Sequence, residues 1–140
     1  MNKYRAWDRY REHMCLVDYI EWNVDGTIKS ISLNYHGAYY LADRVDNIVL
    51  MQFTGILDRY GKEIYDKDII DCSVDDGELA IVEWDNDRHM WVHSRGNKSW
   101  NFAFTGIKVK GNVYETPLLI TQGGIYETPI EDLHYYEENW

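Results

Sequence analysis

"MQFTGILDRYGKEIYDKDIID", residues Met51 to Asp71, decides how the whole chain is read. It holds a Gly-Lys pair, four aspartates and turn-forming residues between apolar runs. Three structures compete for it: a phosphate loop, a metal site, or the corner at which a small β-domain begins. A phosphate loop has four residues between its glycines and a Ser or Thr after the lysine. Here five residues separate Gly55 from Gly61, and Glu63 follows Lys62, where a carboxylate would repel phosphate. On a strand, Asp66 and Asp68 share a face while Asp71 falls on the other. That spacing does not match a calcium loop. "DRYGKE" therefore reads as a polar turn, with Gly61 supplying a positive φ. No cofactor and no metal are expected.

Outward from this corner the pattern is one of strands. "IVLMQFTG", residues 48–55, is a continuous apolar run with β-branched residues, as in a strand buried on both faces. After the corner, residues 69–95 alternate as a three-strand meander, with Asp75-Asp76-Gly77 and "DNDR" (residues 85–88) as its turns. "NFAFTGIKVKGNVYETP" supplies one or two further strands. Before the corner, "YRAWD", "MCLVDYIEW" and "TIKSISL" read as an N-terminal meander, and Asp25-Gly26 is a hairpin signal. "GAYYLADRVDN" is ambiguous, because Leu41, Val45 and Ile48 also fall at helical spacing, which suits a short helix or a turn. Near the end "YETP" occurs twice. Thr128, Pro129 and Glu131 form a capping box, so a short helix is expected over residues 130–139. The predicted fold is mainly β. Residues 1–47 form an N-terminal β subdomain, and residues 48–140 form a barrel-like core with a helical tail.

Composition narrows the function classes. The 140 residues include 24 Asp and Glu against 14 Lys and Arg, a formal charge of −10. Such a chain repels phosphate backbones and lacks the basic footprint of a nucleic-acid binder. Mimicry of DNA is the acidic alternative. The two cysteines, Cys15 and Cys72, form no CxxC pair and read as reduced thiols of a cytosolic protein. The polar N-terminus is no signal peptide, and no apolar run reaches membrane-spanning length.

Catalytic signals are absent from the pattern. No Ser or Cys carries the local signature of a nucleophile, so a non-enzyme is expected. His89 and His93, read on one strand face, lie roughly 13 Å apart, too far for one ion. That same face would hold Trp91 and Arg95, with Met90 and Val92 opposite. Trp91 between polar groups suggests an outward aromatic and a protein-contact surface. The bland alternative is that this strand face packs on the N-terminal subdomain. The candidate partner-binding residues are Trp91, His89 and His93 on the strand, and Arg59 and Tyr60 at the corner.

Three segments resemble one family. "YRAWD" at 4–8, "VLMQFTGILDRYGKEIYDKDII" at 49–70 and "GNVYETP" at 111–117 are similar, in order and spacing, to signatures of the YopX family of small phage and prophage proteins. The resemblance implies a mainly β protein with a small SH3-like barrel after the central signature, made inside a bacterial host. It brings no catalytic residue and no assigned activity. One departure concerns a turn: the family often has Glu-Gly-Asp where this chain has Asp66-Lys67-Asp68. Another concerns the end, where the second YETP copy fits helix-start chemistry better than the first. The resulting expectation is a cytoplasmic, phage-encoded, non-catalytic module. It binds a protein partner, a second copy of itself included, and engages neither membrane nor, directly, nucleic acid.

Overall fold

β-Branched and aromatic residues recur in short runs between turn residues, and the backbone forms strands there. A computed structural model describes residues 3–71, 78–96, 98–101, 106–122 and 125. The chain forms two units, one ending at Gln52 and the other beginning at Phe53.

The first unit is an antiparallel meander. Strands β1 (Tyr4–Asp8), β2 (His13–Trp22), β3 (Ile28–Tyr35) and β4 (Ala38–Leu41) pair in succession. A 3-10 turn, Val45–Asn47, leads into β5 (Ile48–Leu57), whose first half pairs with β1. β4 is thus one edge of the sheet, in the order β4-β3-β2-β1-β5. One face is apolar: Ala6, Cys15, Ile31 and Leu33 are buried together, with Val17, Tyr40, Val45, Ile48 and Leu50 packed against them. The predicted Asp25-Gly26 hairpin is present, with Gly26 at φ 87° and the Asp25 carboxylate accepting the Thr27 N–H at 2.9 Å. The ambiguous 38–48 stretch resolves into strand β4 followed by the 3-10 turn. The deciding signal is His36-Gly37. Both residues have positive φ, 49° and 91°, the two-residue turn that matches the twist of paired strands.

In the second unit the later half of β5 pairs with β6 (Glu63–Tyr65). Strands β7 (Asp68–Asp71), β8 (Leu79–Asp85), β9 (Met90–Arg95), β10 (Lys98–Asn101) and β11 (Lys108–Asn112) form an antiparallel sheet in the order β10-β9-β8-β7-β11. The predicted meander over 69–95 is therefore β7, β8 and β9. Among the described residues no ladder joins β10 to β11. The core gathers Ile64, Ile70, Ala80, Val82, Ile107 and Val109. A short helix, α1 (Leu118–Gln122), follows the first YETP copy. The helix expected over 130–139, its capping box and the second YETP copy lie outside the described residues, as do Cys72 and the Asp75–Gly77 turn.

Candidate functional site

Each of the three motifs singled out in the sequence contains a side chain that turns the backbone. In "YRAWD" it is Asp8, only 1% exposed. Its Oδ1 accepts the N–H groups of Tyr10 at 3.0 Å and Arg11 at 3.1 Å. In the central motif it is Asp58. Its Oδ1 accepts the N–H groups of Tyr60 at 2.8 Å and Lys62 at 2.9 Å. In "GNVYETP" it is Asn112, whose Oδ1 accepts the N–H groups of Tyr114 and Glu115 at 3.0 and 2.8 Å. Gly111 precedes it because a Cβ there would collide with the Thr116 side chain. Short acceptor side chains bonded to nearby N–H groups are the general device of tight turns.

The central corner is also anchored at a distance. Asp58 Oδ2 accepts the Val109 N–H from β11 at 3.1 Å. Burial pushes the Asp58 carboxyl up, but the N–H groups of Val109, Lys62 and Tyr60 and the Lys62 charge outweigh it and hold it below its ordinary value. Gly61, at φ 80°, lets the chain return, and the Asp58 N–H donates to the Lys62 carbonyl at 2.7 Å. Upstream, Gly55 at φ 84° marks the irregular pairing of β5 with β6. The Thr54 hydroxyl donates to the Ile64 carbonyl across the irregularity at 2.7 Å.

This frame presents an aromatic ring between two cations. Tyr60 is 67% exposed. The Arg59 guanidinium lies 5.0 Å from its ring centre and the Lys108 ammonium 5.5 Å. These are cation–π distances. Arg59 is fixed at its backbone, whose N–H donates to the Ile107 carbonyl at 2.9 Å, and its side chain reaches the Gly106 carbonyl at 3.4 Å. The two corner residues expected from the sequence, Arg59 and Tyr60, are thus brought together and exposed. Lys108 was read only as a solvent-facing strand residue. Its place beside Tyr60 follows from the β7–β11 ladder and the Val109 bond to Asp58.

The β9 expectation is corrected. Trp91 does not point outward into a polar surface. It packs against the core cluster and meets Trp84 edge-on, with ring centres 5.3 Å apart. His93, paired with Val82, is buried on the same side. His89 shares no strand face with them, because it lies before β9 in the turn, with φ 54°. The alternation had the right period, but both faces of this strand are covered: Val92 and Ser94 are buried with Ile69 and Ile81 on the other face, as His93 is with Val82 on this one. The turn carboxylates are likewise engaged. Asp68 accepts the Tyr65 N–H at 2.8 Å, and Asp85 accepts the N–H groups of Asp87 and Arg88 at 2.9 and 3.1 Å. At Asp66-Lys67-Asp68 the turn keeps a glycine-like conformation without glycine, with Lys67 at φ 67°.

A second polar cluster, in the first unit, had no sequence signal. The Tyr40 hydroxyl donates to Asp8 Oδ2 at 2.7 Å. Its one proton thus committed, its oxygen accepts from His13 Nε2 at 2.9 Å and from the Cys15 thiol at 3.3 Å. His13 stacks on Tyr35 with centroids 3.7 Å apart. Arg11 bridges Asp8 and Asp43 at 3.1 and 3.2 Å. Burial pushes Asp8 up, but the Tyr40 hydroxyl, the Arg11 N–H and the Arg11 guanidinium together hold it below its ordinary value. Burial pushes the Cys15 thiol up, and the Asp8 charge adds to this, which disfavours the reactive thiolate. A cavity of about 180 Å³ opens beside Asp8, with Tyr10, Arg11, Asp43, Arg44, Asn47 and Ile48 around it. Arg44 bonds Asp46 at 3.2 Å, so both arginines there already have carboxylate partners.

Comparison with known proteins agrees with this architecture. The model of the family described as "YopX protein" matches residues 3–121. The crystal structure of protein EF1440 from Enterococcus faecalis is similar, with a TM-score of 0.63 at 21% identity over 86% of this chain and 98% of that one. The structure of yopX from Bacillus subtilis has a TM-score of 0.57 at 20% identity, over 82% of this chain and 94% of that one. At these identities the likeness is one of fold. No curated protein matches.

Proposed function

This chain belongs to the YopX family, and we propose that it is a non-catalytic protein-binding module whose contact surface is the corner at Asp58–Lys62. One observation carries this reading: Tyr60 is held exposed between Arg59 and Lys108 by a turn whose own bonds are all to backbone. Tyrosine and arginine are both enriched at interface hot spots, and a rigid base lowers the entropy cost of docking. The corner is a basic point on an acid-rich stretch: residues 53–140 hold 17 carboxylates against eight Lys and Arg. Its partner is accordingly a protein surface with an acidic or aromatic-lined recess. The chemistry of a nucleophile or a metal centre is not needed for such a role. Residence in the cytoplasm of a phage-carrying bacterium fits it. Among the described residues no helix is long and apolar enough to cross a membrane.

Affinity capture during phage induction tests the reading, with Arg59→Ala/Tyr60→Ala beside the unaltered protein. Both side chains lie outside the Asp58 bonds, so the variant keeps its fold. Loss of specific captured proteins from the variant is expected, and an unchanged set overturns the reading. Retention of DNA or RNA on a filter at low salt would instead make the corner a nucleic-acid contact.

A further inference from the structure

The geometry points to β4 as the site at which a second copy of this chain adds to the sheet. We propose a two-fold dimer in which the two β4 strands pair antiparallel about Tyr40, so that Tyr39 of each copy faces the partner's Leu41.

The open edge follows from the ladder. The Ala42 N–H donates to the Ile31 carbonyl at 2.9 Å, and Tyr40 and Ala38 pair with Leu33 and Tyr35. In an antiparallel ladder the bonding groups alternate in direction. The N–H and C=O groups of Tyr39 and Leu41 therefore point to the side of β4 away from β3. Among the described residues nothing takes them. Native edges are usually blunted by charge, proline or a bulge. Ala38-Tyr39-Tyr40-Leu41 has none of these.

The adjoining face carries four exposed apolar side chains around a hydrogen bond from the Ser32 hydroxyl to Asp18 at 3.1 Å. Leu16 and Tyr39 lie on either side of Asn34 in one cross-strand row, and Tyr19 and Leu41 on either side of Ser32 in the next. Their exposures are 52%, 64%, 52% and 54% in that order. The core lies on the opposite face of the same strands. Pairing about Tyr40 joins the two faces into one and sets Tyr39 against the partner's Leu41 twice over. It also satisfies four backbone hydrogen bonds, two from each outward residue pair.

Charge favours a copy over a foreign partner. Two chains of charge −10 repel unless they meet where charge is absent. Residues 1–52 hold seven carboxylates against six Lys and Arg, and β4 holds no charge. A basic partner would be drawn to the acid-rich stretch after residue 52. A four-residue strand with four side chains covers less than the roughly 800 Å² per partner of a standard interface. The dimer is therefore weak and concentration-dependent.

Sedimentation of the full chain over a roughly hundredfold concentration series tests this. A monomer–dimer equilibrium is expected, with Leu41→Lys shifting it to monomer while leaving the melting of the dilute protein unchanged. The register is tested by mixing a Tyr39→Cys chain with a Leu41→Cys chain. Facing residues in such a pair lie about 5.5 Å apart, within disulfide reach. The mixture should cross-link under oxidation and each chain alone should not. A chain that stays monomeric at every concentration, an assembly that survives Leu41→Lys, or a mixture that fails to cross-link selectively overturns the proposal.

Discussion

Two loops of this protein begin with the same three residues, Asp-Arg-Tyr, at 8–10 and 58–60. In both, a buried aspartate accepts the N–H of the tyrosine two residues on, and the tyrosine itself stands exposed with an arginine near its ring. They differ in where the second carboxylate oxygen goes. Asp58 spends it on the Val109 backbone. Asp8 spends it on side chains, the Tyr40 hydroxyl and the Arg11 guanidinium. The first arrangement is indifferent to what residue follows at 109. The second ties strand β1 to β4 through one particular hydroxyl. A backbone tie makes a durable corner, whereas a side-chain tie makes a node that a single substitution can open.

The contrast predicts unequal damage. Asp58→Ala leaves three N–H groups without their acceptor, one of them buried at Val109. At about 1–3 kcal/mol for each buried group left unpaired, the expected loss in urea unfolding is about 3 kcal/mol. Tyr40→Phe should cost less, about 1–2 kcal/mol, because Asp8 keeps Arg11 and two N–H groups. A Tyr40→Phe loss equal to that of Asp58→Ala would erase the distinction between the loops.

Acid should weaken both loops. Each carboxyl is held below its ordinary value of 3.8 in the folded state, so its contribution is present above that pH. It is lost as pH falls through the lowered folded value. The urea midpoint should thus hold from neutral pH to about 4 and then drop, a drop made shallower by Asp8→Asn or Asp58→Asn. A midpoint independent of pH below 4 would mean that neither carboxylate carries the loops.

The smallest effect separates the turns themselves. Gly61 and Glu12 both have positive φ, 80° and 54°. A residue with a Cβ pays about 1–2 kcal/mol in that region. Gly61→Ala should destabilise by about 1 kcal/mol, while Glu12→Gly should be neutral or gain up to about 1 kcal/mol. Lys67→Gly belongs with the latter, since its φ of 67° already follows a glycine's path. Thermal unfolding of the three variants checks the sign.

What the chain spells out locally was legible in it. Strand periodicity over 69–95, the Asp25-Gly26 hairpin and the reading of "DRYGKE" as a turn rest on interactions within a few residues, so the sequence alone determined them. So did the family, through motifs that are themselves corners. Which side of a strand is inside depends instead on a partner strand distant in sequence. Only packing on both faces of the β7–β8–β9 sheet covers Trp91 and His93 as well as Val92, and only β11 brings Lys108 to Tyr60. The Asp8–Tyr40–His13–Cys15 node joins residues up to 32 positions apart, a closeness no local pattern encodes. Tertiary pairing decided these, because a period of two fixes alternation but leaves its phase to whatever packs against it.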